Sequence, residues 1–232
     1  MNNIADKKPN VFVAGFPRCG TTYTLNILKQ HPDVCVPNAK ELNYFNWKFF
    51  FLGFPNFLSP YRKKTFKQYL DLFKKRKIMI DGSILAAYDH KSAIRIYNSL
   101  GDIKIIFLIR DKESLKKSLY KLMLHNGDIP KISYEKFLKK YQNLLRYYTD
   151  FDTHISIFKK FFSNVKIFNI IDNNTKSELK KIIKYLGLIG NIYDFNIDKN
   201  SKSKIKPAKY MHRIKRKILI RFPFLANNTW KK

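Results

Sequence analysis

Gly15 and Gly20 enclose Phe16-Pro17-Arg18-Cys19, and Thr21 and Thr22 follow directly. Residue types in this order suit an anion. Glycines let the chain turn tightly and let a phosphate or sulfate approach the backbone. The free N–H groups and the dipole at a helix start attract negative charge, and Arg18 adds a cation whose planar fork of donors matches oxyanions. Such a loop works only if a strand leads into it and a helix leads out.

The flanking residues meet that demand. Val11–Gly15 is short, apolar and β-branched, which predicts a strand, and Thr21–Gln30 places Tyr23, Leu25, Ile27 and Leu28 at spacings that suit a helix packed on a sheet. A second buried strand is predicted at Lys104–Ile109, with a polar break at Arg110-Asp111-Lys112 and a helix from Glu113 to about Leu124. Val165–Ile171 predicts a third strand, followed by a helix through Ser177 and Glu178 that stops at Gly187, and Lys77–Ile80 a weaker fourth strand. Strands alternating with helices predict an α/β fold of one domain, a parallel sheet flanked by helices whose ligands gather at the carboxyl ends of the strands.

Composition sets the partner class. The 232 residues are 45% hydrophobic, enough for one core, and carry 46 Lys+Arg against 17 Asp+Glu, a formal net charge of +29. A surface of that sign attracts polyanions, nucleotides or anionic membranes, although a base-composition bias also enriches Lys, Asn and Ile. Cys19 and Cys35 fall in neither metal-ligand nor CxxC spacing, so no metal site and no disulfide framework is expected, and the natural compartment is the cytoplasm. No stretch suits a signal peptide or a membrane span. From about Ser201 cations crowd ahead of the apolar run Ile218–Leu225, which divides the chain into a core, 1–190, and a basic C-terminal tail or flap, 191–232. Lys206–Arg221 can be written as a helix with cations on one side and apolar residues on the other, a pattern suited to peripheral contact with an anionic membrane surface.

The segment V-F-V-A-G-F-P-R-C-G-T-T-Y-T-L-N-I-L-K-Q-H-P-D-V, residues 11–34, closely resembles the opening of sulfotransferases that use 3′-phosphoadenylyl sulfate (PAPS), in the manner of the carbohydrate-acting and bacterial branches. The resemblance implies a P-loop-like sulfotransferase fold and PAPS as cosubstrate, with no metal. Arg18, Cys19, Gly20, Thr21, Thr22 and Tyr23 would hold the 5′-phosphosulfate end, with Arg18 in place of the more usual lysine, offsetting charge on the leaving phosphate. It further implies that Arg110 at a strand end and Ser118 eight positions on hold the 3′-phosphate, since two helical turns let both face one ligand. Lys40-Glu41-Leu42-Asn43-Tyr44-Phe45 resembles the carbohydrate-type stretch whose glutamate is the general base, so Glu41 would take the acceptor's proton and Lys40 would assist catalysis. Asp81-Gly82-Ser83 resembles the acceptor-contacting segment, with Gly82 where carbohydrate-acting members often carry lysine. His31-Pro32 matches a structural turn.

The expected activity is sulfuryl transfer to a hydroxyl or amine, on a glycan or glycolipid acceptor. Two other classes compete. A phosphotransferase is suggested by the spacing G-x-x-x-x-G-K-[ST], but Thr21 stands at the lysine position and the cation has moved to Arg18. A nucleic-acid-binding protein is suggested by the +29 charge and 16% aromatic content, with no accompanying recognition motif.

Overall fold

In the computed structural model the described residues are 7–39, 41–46, 50–51, 54–55, 64–170 and 175–189, the segments 50–51 and 54–55 by backbone alone. The tail, 191–232, lies outside them. In chain order the elements are β1 (Val11–Val13), α1 (Thr21–Leu28), β2 (Val34–Cys35), β3 (Phe50–Phe51), β4 (Phe54–Pro55), α2 (Phe66–Leu70) and β5 (Ile78–Asp81). A 3₁₀ turn (Ile84–Tyr88) follows, then α3 (Ser92–Leu100), β6 (Lys104–Ile109), α4 (Lys112–Asn126), α5 (Tyr134–Lys140), α6 (Gln142–Thr149), α7 (Phe151–Lys159), β7 (Val165–Asn169) and α8 (Thr175–Leu186).

Five strands form one sheet in the order β2-β5-β1-β6-β7, every pairing parallel. Central strands of a parallel sheet are covered on both faces and so carry unbroken apolar runs. Val11, Phe12 and Val13 of β1 and Ile105, Phe107 and Leu108 of β6 are each 0% exposed, which places the core on these two strands. The helices bury the stripe their periodicity predicts: Leu115, Leu119 and Met123 on α4, and Leu179, Ile182, Ile183 and Leu186 on α8. Gly187, at φ 65°, closes α8, its N–H and that of Leu188 returning to Lys184 and Ile183 carbonyls.

The fold is a single-domain parallel sheet flanked by helices, as the alternation predicts. Strand bounds shift by a few residues: β1 ends at Val13 because Gly15 begins the turn, and α1 stops at Leu28 because His31 N–H bonds back to the Leu28 carbonyl. The α3 and α5–α7 helices were not anticipated, although Ser133 and Asp150 cap α5 and α7 with bonds to Lys136 and Thr153 N–H. After β1 the chain runs to the β2 edge, whereas after β6 it runs to the opposite edge. The crevice at the carboxyl ends of β1 and β6 is therefore the switch point where open α/β sheets bind ligands.

Candidate active site

The loop after β1 is anchored from below. Phe16 is 0% exposed and packs on Phe151, Tyr88 and Phe107 at centroid distances of 4.5, 5.4 and 5.8 Å. Cys19 N–H bonds to the Phe16 carbonyl at 3.3 Å and closes the turn. Arg18 (φ 66°) and Gly20 (φ 77°) are both left-handed, the first at the cost that any side chain incurs there. Gly20 is also the N-cap of α1 and makes no side-chain cap bond there, at a helix start whose dipole favours an anion. A Cβ at Gly20 would stand 2.9 Å from Ile170 Cγ2.

Three of the anticipated residues meet across the crevice. Arg18 Nε donates to Ser118 Oγ at 2.8 Å, and Arg110 Nη1 donates to the Arg18 carbonyl at 3.0 Å. Burial and the adjacent Arg110 both lower the Arg18 pKa, the signature of two cations held close without neutralisation. Neither guanidinium has an ion-pair partner among the described residues. Asp111, beside them, is committed to capping α4 through Ser114 N–H at 2.7 Å. Cys19 lies beneath the loop, its thiol pushed up to about 12 by burial against the opposing pull of Arg110. Thr21 is buried under Gly15, Tyr23 is half-buried against the core, and Thr22 turns to the other flank of α1.

On that other flank, Thr22, Asn26, Lys29, Asn38, Glu41 and Gly82 line a cavity of about 70 Å³, room for a few waters or a small polar group. Lys29 Nζ donates to Asn38 Oδ1 at 2.6 Å at its rim. A Cβ on Gly82 would collide with Leu25 Cδ1, so a side chain there would displace the Leu25 side chain. Lys40 lies outside the described residues. Glu41 (φ 60°) and Asn43 (φ 51°) complete the set of left-handed non-glycine residues among those described.

The backbone after Glu41 is held by buried polar groups. Asn43 N–H donates to Ser83 Oγ at 2.9 Å, and Ser83 donates from both its hydroxyl (2.5 Å) and its N–H (2.9 Å) to Asp81 Oδ1. Tyr69 Oη donates to Asp81 Oδ2 at 2.7 Å. Burial raises the Asp81 carboxyl above its ordinary range against the pull of these bonds, and burial and Asp81 raise Tyr69. Further along, the Phe45 carbonyl accepts from Arg95 Nη1 at 2.6 Å and Ser92 Oγ at 3.3 Å. Asp81 and Ser83 thus support the loop from inside rather than lining a surface, and Tyr69, Ser92 and Arg95 gave no signal in the sequence. His31 is structural: Nδ1 accepts from Asp33 N–H and Nε2 bonds to the Ile189 carbonyl. Among the described residues no group of three or more His, Cys, Asp or Glu could hold a metal ion.

A model of the sulfotransferase domain matches residues 8–217. The chain belongs to the sulfotransferase domain family. This sulfotransferase domain is 30% identical over 112 residues to the membrane-associated sulfotransferase kil1 of Dictyostelium discoideum, a stretch that is 48% of this chain and 22% of that protein. Its fold is that of a solved sulfotransferase from Alicyclobacillus acidocaldarius, at 19% identity, a TM-score of 0.69 and coverage of 95% and 96% of the two chains. The sulfotransferase domain of the Synechococcus PCC 7002 olefin synthase is also similar, at 18% identity, a TM-score of 0.53 and coverage of 90% and 87%. No helix among the described residues is long and apolar enough to cross a membrane.

Proposed function

We propose that the domain transfers a sulfuryl group from PAPS to a hydroxyl or amine of an acceptor, with the nucleotide on the β6 side of α1 and the acceptor on the β5 side. The observation that carries this reading is the junction of Arg18, Arg110 and Ser118 across the crevice, two neighbouring guanidiniums with no ion-pair partner among the described residues. Such a pair is compensated by a ligand bearing several phosphate or sulfate groups. PAPS supplies the sulfuryl group on a phosphate leaving group. Arg18 and the uncapped α1 N-terminus offset charge on that phosphate, Arg110 and Ser118 hold the 3′-phosphate, and Glu41 receives the acceptor's proton. Cys19 and Tyr23 contribute to the loop's shape, and Lys40 stands next to the base in sequence.

The acceptor class we favour is a glycan or glycolipid, because Glu41 sits in a carbohydrate-type stretch. The name of the Dictyostelium relative supports a lipid-surface setting, which suits a cytoplasmic domain in peripheral contact with a membrane through its basic tail. Calorimetric titration with adenosine 3′,5′-bisphosphate and with ATP tests the donor site. Tight bisphosphate binding that an Arg110→Ala, Ser118→Ala variant loses is the expected result. Equal affinity for ATP would overturn the reading in favour of a phosphotransferase.

A further inference from the structure

Two left-handed residues, Glu41 and Asn43, stand either side of Leu42, a residue 1% exposed. Outside glycine, asparagine and aspartate this conformation is unfavourable, so at Glu41 it persists only where the surroundings over-determine it. Here the surroundings are a relay of polar groups with one sense. Asp81 is 0% exposed, and both its oxygens receive bonds, from Ser83 and from Tyr69. A serine hydroxyl has one proton, and Ser83 spends it on Asp81, so its lone pairs are turned toward the Asn43 N–H. The Tyr69 ring, stacked on Tyr44 at 4.5 Å and edge-on to Phe45 at 5.3 Å, ties the same segment to α2.

We propose that Ser83, oriented by Asp81 and Tyr69, is a positioning residue that fixes the left-handed turn at Asn43 and thereby aims Glu41 into the cavity it shares with Thr22. The inference rests on the reading of Glu41 as general base. Ser83 touches no reacting atom; it acts through the backbone two residues beyond the base. A misplaced base costs turnover while leaving the nucleotide site on the far flank of α1 intact.

Two measurements on the full chain test this. In hydrogen–deuterium exchange, Ser83→Ala raises exchange across residues 41–46 at least fivefold and leaves 15–22 and 110–118 unchanged. Tyr69→Phe, which keeps the ring and removes only the hydroxyl, does the same to a smaller degree and serves where Ser83→Ala does not fold. In release of labelled sulfate from PAPS, with water as acceptor, Ser83→Ala slows turnover roughly 10- to 100-fold, and adenosine 3′,5′-bisphosphate affinity stays within about twofold. Because Ser83 acts through Glu41, Ser83→Ala costs nothing further in a Glu41→Gln background. Unchanged exchange at 41–46 in both variants, or losses that multiply in the double variant, would overturn the proposal. Full turnover in Glu41→Gln would sink the base reading instead and leave exchange to judge the positioning of the loop.

Discussion

The two flanks of α1 are built by opposite means. On the β6 side, Arg18, Arg110 and Ser118 are held at a partly exposed crevice, where the side chains themselves would meet a ligand. On the β5 side, Asp81, Ser83 and Tyr69 are 0% exposed and hydrogen-bond one another and the Asn43 backbone, behind the cavity that Glu41 and Thr22 line. One flank presents charged side chains and the other a left-handed turn. Under the proposed function, nucleotide affinity should therefore be governed on the first flank and proton removal from the acceptor on the second.

Variants that separate the flanks test this division, and the largest effect is expected at Glu41, the proposed base. Glu41→Gln is expected to lower PAPS turnover by about 10²- to 10⁴-fold while bisphosphate affinity stays within about twofold; an equal loss in both would erase the distinction. Arg110→Ala is expected to weaken adenosine 3′,5′-bisphosphate by roughly 10- to 100-fold, the worth of a charge-assisted hydrogen bond, with the loss shrinking as salt is raised. Isothermal calorimetry at two ionic strengths reads both.

Smaller effects probe how each flank is supported. Gly20→Ala forces a side chain into a left-handed position against Ile170 and should cost about 1–2 kcal/mol in denaturant unfolding. His154, buried among Phe16, Tyr88 and Tyr147, has its pKa lowered chiefly by burial. With the folded value depressed, the unfolded chain binds the proton first, so stability present above the ordinary histidine range is lost as pH falls through it. The melting temperature should drop between neutral pH and pH ~5, and His154→Leu should flatten that slope. The smallest effect is expected at Cys19. With its thiol pushed up to about 12, Cys19 should stay unmodified by iodoacetamide at pH ~8 in the native protein and react only on unfolding, read by mass spectrometry of the Cys19 peptide.

The loop that carries Arg18 was legible because its signals are contiguous. Glycine spacing, a strand before and a helix after specify an anion loop within ten residues of chain, and Arg110 follows a six-residue apolar strand. The acceptor side was legible only in part. Glu41 stood out through its neighbours in sequence, but its left-handed backbone follows from contacts made elsewhere, and Tyr69 sits on α2, a five-residue helix whose pattern is too short to read. Asp81-Gly82-Ser83 was expected to contact the acceptor because the segment resembles the acceptor-contacting segment of the family. In the fold the Asp81 and Ser83 side chains turn inward to the loop they support.

By itself, then, the sequence determined the α/β alternation and the strand, turn and helix that carry Arg18, since these depend on residues next to one another and on backbone preferences that act locally. Tertiary structure decided which distant groups meet. Arg18 bonds Ser118 across 100 positions, Asn43 bonds Ser83 across 40, and Tyr69 bonds Asp81 across 12. Those meetings depend on the strand order β2-β5-β1-β6-β7, which sets loops from four strands along one edge of the sheet, and strand order is fixed by burial of the whole core rather than by any local run of residues.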